Sequence, residues 1–156
     1  MIKDANYQDV NPAFRFSLSF LKDFRLGMRF DQGNNRISKY LSEGFITRMH
    51  FFTEYLLNLS DTVSLTLGLG YNFMNNSMSP QAKIDLIRAG YSNPRETIDS
   101  VFGVFFGISV DFSQKTQWFI RYYPLHSHVN FESDALSETI DIDFSQLEIG
   151  LNIQLD

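Results

Sequence analysis

Thr62-Val63-Ser64-Leu65-Thr66-Leu67-Gly68-Leu69-Gly70-Tyr71-Asn72-Phe73 sets the reading of the whole chain. Its odd positions are all large and apolar, and its even positions are Thr, Ser, Thr, Gly, Gly and Asn. Strict alternation with a period of two belongs to a β-strand, whose successive side chains point to opposite faces. The segment is therefore a strand with one greasy face and one face of small polar groups.

The same pattern recurs on both sides. Phe14, Phe16, Leu18 and Phe20 alternate with Arg15, Ser17 and Ser19; Phe24, Leu26, Met28 and Phe30 alternate with Arg25, Gly27 and Arg29. Phe102, Val104, Phe106, Ile108, Val110 and Phe112 oppose Gly103, Phe105, Gly107, Ser109 and Asp111. Trp118, Ile120 and Tyr122 oppose Gln117, Arg121 and Tyr123, and Leu147 to Leu155 alternates with Glu148, Gly150, Asn152 and Gln154. Phe45 to Leu59 is less regular: Phe45, Met49, Phe51, Tyr55 and Leu57 share one face, and the other mixes Arg48, His50 and Glu54 with Phe52 and Leu56.

Between these seven strands the connections alternate in length. Leu21 to Asp23, Ser60-Asp61 and Ser113 to Lys115 are tight turns, whereas Asp31 to Gly44, Met74 to Thr97 and Leu125 to Glu138 are long loops. The middle loop predicts a short helix, with Ser79 as N-cap, Pro80 at the first helical position, Gln81 to Ala89 following and Gly90 stopping it. The expectation is one domain over residues 1–156, all-β, an antiparallel up-and-down barrel of about eight strands. An even strand number requires an eighth strand upstream, and Met1 to Asn11 is the segment to supply it.

Composition narrows the class. Net charge is -5, which excludes a general nucleic-acid binder, since neutralising phosphates needs a basic excess. The absence of cysteine excludes disulfides and thiolate chemistry and suits an oxidising compartment. No run reaches the roughly 18 apolar residues of a membrane-crossing helix. Met1 to Tyr7 shows no signal-peptide pattern, so an exported protein is expected to be represented here by its mature form.

Two senses of the barrel fit this alternation. In a soluble lipocalin-like lipid-binding barrel the apolar face points inward; in a transmembrane barrel it points to lipid. The polar face favours the second. It carries Gly27, Gly68, Gly70, Gly103, Gly107 and Gly150 with few charges, namely Arg15, Arg25, Arg29, Arg48, Glu54, Asp111, Arg121 and Glu148. Gly weakens a water-facing strand, whereas a narrow lumen takes small residues and paired Arg–carboxylate groups. Phe and Tyr outside suit a lipid boundary.

On these strands and turns the chain resembles the small outer-membrane β-barrels of Gram-negative bacteria. It departs from them in ending Leu155-Asp156 where such barrels end in an aromatic residue. The resemblance implies a location in the bacterial outer membrane and contact with outer-membrane lipid and lipopolysaccharide. It also implies a plugged polar lumen, no cofactor, and a structural or adhesive role or that of an accessory subunit beside another envelope protein.

A narrower resemblance rests on His126-Ser127-His128 at the outer end of the second-to-last strand. PagL-type lipid A deacylases carry there a His and, two residues later, a Ser, with a Glu on the last strand. Here the second position is His128 and the hydroxyl is Ser127. The resemblance implies an esterase acting on lipid A or phospholipid, with His126 or His128 as base, Ser127 as nucleophile and Glu138 or Asp141 orienting the His. The parity of Trp118 and Ile120 puts both histidines on the lipid-side face, and the bland alternative is that they decorate the headgroup zone. The acidic stretch Glu132, Asp134, Glu138, Asp141 and Asp143 reads as a solvated loop, not a metal site, because it lacks Ca²⁺-loop spacing. His50 shares a face with Arg48 and Glu54 and reads as part of an interior network.

Overall fold

The computed structural model describes residues 5–6, 12–21, 23–35, 44–113 and 115–153. In chain order these form β1 (Ala5–Asn6), β2 (Ala13–Leu21), β3 (Phe24–Asn35), β4 (Gly44–Asn58), β5 (Val63–Met78) and α1 (Pro80–Arg88). They continue with β6 (Arg95–Ile98), β7 (Val101–Ser113), β8 (Thr116–Tyr123), β9 (His126–Ser133), β10 (Leu136–Asp143) and β11 (Gln146–Ile153). One sheet runs β2-β3-β4-β5-β7-β8-β11 and curls into an open half-barrel; a smaller one runs β1-β10-β9-β6. Every neighbour in the larger sheet is antiparallel. No helix among the described residues is long and apolar enough to cross a membrane, which says nothing of strands.

The described residues hold eleven strands, more than the eight or so expected, because three expected strands bend. The breaks fall at Asp99-Ser100, Pro124-Leu125 and Phe144-Ser145. Pro124 has no N–H to give to a ladder. Around it Phe144 donates its backbone N–H to the Leu125 carbonyl at 2.7 Å, and Leu125 donates to the Ser145 hydroxyl at 3.2 Å. The register survives the bend, with Tyr123 opposite Gln146 below it and His126 opposite Asp143 above. The long loop expected over Leu125 to Glu138 is thus corrected to the hairpin β9–β10. The other two expected loops are shorter than read, since β3 runs to Asn35 and β5 to Met78.

The expected eighth strand is also corrected where it is described. Ala5 and Asn6 pair with Ile142 and Asp143 in parallel, as an added strand of the smaller sheet. The rest of Met1 to Asn11, and Gln154-Leu155 of the last expected strand, lie outside the described residues.

The faces come out as the alternation predicts. Phe102, Val104 and Phe106 on β7 and Leu67 and Ile149 on β5 and β11 are exposed, while Thr66, Ser109 and Arg121 on the other face are buried. The glycines answer to large inward side chains across the ladder. Gly27 sits opposite Phe52 and Gly68 opposite Phe105, and a Cβ at either would collide with the facing ring. Missing side chains on one strand make room for the aromatic filling of the next.

α1 forms where expected. The Ser79 hydroxyl accepts the Ala82 N–H at 3.1 Å, Pro80 opens the helix, and Gly90 leaves it at φ 95°. Ala82 and Leu86 are buried, whereas Ile84 and Ile87 are exposed.

Candidate functional site

The inward positions of β4 give the layers of the interior in order: Ile46, Arg48, His50, Phe52, Glu54 and Leu56, all buried. Ile46 belongs to an upper apolar chamber with Met74, Ile98, Leu125, Val129, Ile140, Ile142 and Phe144. Here "upper" means the end away from the tight turns. Outside this chamber the strands carry His126, His128, Thr139 and Asp141, all exposed.

Below the chamber the lumen is charged. Glu54, fully buried, is met by Arg15 at 2.5 Å, Arg121 at 3.3 Å and Arg25 at 3.7 Å. Asp31 takes Arg48 at 2.7 Å and Arg29 at 3.0 Å, and Arg29 also reaches Glu148 at 3.3 Å. Tyr123 joins the two sets: its hydroxyl accepts from Arg15 at 2.9 Å and donates to Glu148 at 2.6 Å. Rings fill the space between. Phe105 stacks on Tyr123 with centroids 4.8 Å apart, and the guanidiniums of Arg15 and Arg121 lie 3.8 and 3.9 Å over Phe52 and Phe119.

His50 is inward, as expected, but it packs as a ring against Phe52, Phe105 and Tyr123 at 5.5 to 5.7 Å, and its nitrogens have no hydrogen-bond partner among the described residues. Asp31 and Tyr123 are the members of the network that sequence reasoning passed over. Continuing the parity of Arg25 and Arg29 by one step finds Asp31.

The His126-Ser127-His128 group is split by the sheet. His126 and His128 point outward and share a face with Trp118 and Ile120. Ser127 is buried on the opposite face, where its hydroxyl donates to the Asp99 carbonyl at 2.6 Å. Glu138 pairs across from Phe131, on the inward parity. The structure therefore does not bring Ser127 or Glu138 to the histidines. What it does bring to His128 is Asp141, 2.8 Å from Nε2, with Asp99 at 3.6 Å from Nδ1; Asp143 lies 3.9 Å from His126. Hydrogen bonding by Ser145, its hydroxyl first, holds the Asp143 carboxyl below its ordinary range. The acidic residues read as a solvated loop lie on this hairpin, and among the described residues no group of three or more His, Asp or Glu is arranged to hold a metal ion.

Glu96 is a half-buried carboxyl of the upper region. Burial pushes it up to about 8 from 4.5, against the opposing effect of a hydrogen bond from Asn76.

No protein-family model matches the chain, and no curated protein matches it.

Proposed function

We propose that the chain is a bacterial outer-membrane protein, a small transmembrane up-and-down barrel of about eight crossings with a plugged lumen. Seven of the crossings are β2, β3, β4, β5, β7, β8 and β11. Its role is structural or adhesive, or that of an accessory subunit beside another envelope protein, and its surroundings are outer-membrane lipid and lipopolysaccharide.

The observation that carries this reading is the height of the outward apolar stripe. On β7 it runs unbroken from Phe102 to Phe112, every member exposed. Ten steps of about 3.3 Å give about 33 Å along the strand, and a tilt of roughly 40° brings that to about 25 Å, the thickness of a barrel's apolar band. Water-soluble monomers rarely expose a contiguous apolar patch beyond a few hundred Å². Above the bends between β8 and β9 and between β10 and β11 the outer surface turns polar, with His126, His128, Thr139 and Asp141 exposed, as a surface leaving a bilayer does. The charged lumen and the packed upper chamber count against a soluble lipid-carrying barrel.

The test is extraction and conductance. The protein is expected to leave membranes only with detergent, to run as a heat-modifiable band, and to give no stable nanosiemens conductance in planar bilayers. Solubility as a detergent-free monomer would overturn the membrane reading, and stable conductance would overturn the plug.

An esterase acting on lipid A or phospholipid is the second reading. The outward His128–Asp141 pair favours it; the inward Ser127 hydroxyl counts against it. Loss of an acyl chain from lipid A, read by mass spectrometry and abolished by His128→Ala, would establish it.

A further inference from the structure

We propose that β6, β9 and β10 form one hinged lid over the upper apolar chamber, held shut by protonated Glu96 at its seam with β5 and released when that carboxyl ionises. The inference does not depend on which medium surrounds the lower half.

The hinge is an oblique line of three breaks, after β6 at Asp99-Ser100, after β8 at Pro124-Leu125 and after β10 at Phe144-Ser145. Pro124 brings no N–H to a ladder. Beside it the Phe144 N–H reaches the Leu125 carbonyl at 2.7 Å, and the Leu125 N–H reaches a side chain, the Ser145 hydroxyl, at 3.2 Å. At the first break Asp99 donates to the His128 carbonyl at 2.9 Å. Bonds lying along a hinge line survive a turn about it, and hinges of this kind are a few residues at element ends. Ladders of four and eight residue pairs tie β6 to β9 and β9 to β10, so the three strands turn together.

β4 and β5 cross the same level unbroken, from Gly44 to Asn58 and from Val63 to Met78. The chamber therefore has a fixed wall and a movable one. Ile46 and Met74 stand on the unbroken strands; Ile98, Val129 and Ile140 close on them from the lid, and Leu125 sits at the hinge.

The seam between β5 and β6 is where the lid parts. The β5–β7 ladder ends at Asn72 and Val101, and among the described residues β6 pairs with β9 alone, so no ladder joins β6 to β5. Glu96 shares the inward parity of Ile98 at this seam, opposite Phe131 of β9, and accepts a hydrogen bond from Asn76 of β5.

The surroundings of Glu96 favour its neutral form. Phe131 and Tyr91, which meets it edge-on, are rings; Glu138 of β10, opposite Phe131, is a second carboxyl. Arg95 is exposed on the other face, and Arg48, inward on β4 below Ile46, pairs with Asp31 at 2.7 Å. Burial accordingly pushes the Glu96 carboxyl up to about 8. The closed lid is favoured fully below pH 4.5 and loses that preference as pH rises through about 8. An ionised carboxylate needs water, and parting β6 from β5 supplies it.

The chain has no cysteine, so a single introduced thiol reports its own position. Val129→Cys and Ile140→Cys place it on the chamber side of the lid, Thr97→Cys on the lid's outer face and Ser109→Cys in the buried lower interior. The folded protein is treated with a water-soluble maleimide, and each rate is divided by that of Thr97→Cys, which accounts for the thiol's own pH dependence. From about pH 5.5 to about pH 8.5 the divided rates of Val129→Cys and Ile140→Cys are expected to rise at least about tenfold, and Glu96→Gln to abolish the rise. Ser109→Cys is expected to stay unlabelled throughout. No rise, a rise that survives Glu96→Gln, a rise at Val129→Cys without one at Ile140→Cys, or labelling of Ser109→Cys in step with them would each overturn the inference.

Discussion

Two halves of one strand system solve opposite problems with the same parity. From β8 into β9 the inward positions run Gln117, Phe119, Arg121, Tyr123, Leu125, Ser127, Val129 and Phe131, and all are buried. The outward positions run Trp118, Ile120, Tyr122 and then His126, His128, Asn130 and Glu132. Below the bend the outside is apolar and the inside sets Gln117 and Arg121 among the rings of Phe119 and Tyr123; above it the outside is polar and the inside mainly apolar. No register slip produces the change. On the proposed membrane reading, what changes is the medium that the outer surface meets. Burying Arg and Glu together is costly unless they pair well, whereas an apolar chamber under a polar surface is the ordinary arrangement in water. On that reading the inversion marks the level at which the surroundings change.

The largest effect should come from breaking the lower half at its centre. Glu54→Ala leaves Arg15, Arg25 and Arg121 facing one another without their shared carboxylate. The expected cost is about 3–5 kcal/mol, read as a lowered urea midpoint of the folded gel band in detergent. A loss below about 1 kcal/mol would mean the network is solvated, not a plug.

A charge placed on the outside should separate the halves. Val104→Arg, on the exposed face of β7, is expected to cost about 2–4 kcal/mol in bilayers. Thr97→Arg, outward on β6, should stay within about 0.5 kcal/mol. Equal small effects in a folding titration into lipid vesicles would erase the distinction.

Gly68→Ala is expected to cost roughly 1–3 kcal/mol, because its Cβ meets the Phe105 ring, which is held against Tyr123. Phe105→Leu in the same chain should recover part of that loss, and additive losses in the double-mutant cycle would deny the contact.

The smallest effect is the pH response of the upper half. Glu96 is raised from 4.5 to about 8 in the fold, so its neutral form is the one the fold favours. Its stabilising contribution is complete below pH 4.5, falls as pH rises, and is gone above about 8. Hydrogen exchange of β6 and β9 should quicken across that window, and Glu96→Gln should flatten the dependence.

The lower half was legible in the sequence because most of its apolar residues fall on one parity, with Phe52, Leu56, Phe105 and Phe119 the inward exceptions. Trp118, Ile120 and Tyr122 announce a strand, and Phe102 to Phe112 another. The β9–β10 hairpin was not, and the reason is the inversion itself. Val129, Phe131, Ile140 and Ile142 lie on the inward parity, and acidic residues crowd the other, so the segment resembles a loop to an eye following the outward stripe. Pro124 adds a break that looks like an ending but is only a bend. The histidines' outward parity was readable; their partners Asp99 and Asp141 come from a neighbouring strand junction and the facing strand. Arg15 meeting Glu54 could not be read either, since curling of the sheet, not sequence spacing, brings β2 to β4.

The chain carries a single tryptophan, Trp118, half exposed on the outward face of β8. Its emission in vesicles containing brominated lipids tests the central claim most directly. Blue-shifted emission, quenched most by bromines at shallow acyl positions, is the predicted result. Emission like that of tryptophan in water, unaffected by brominated lipid but quenched by iodide, would contradict it.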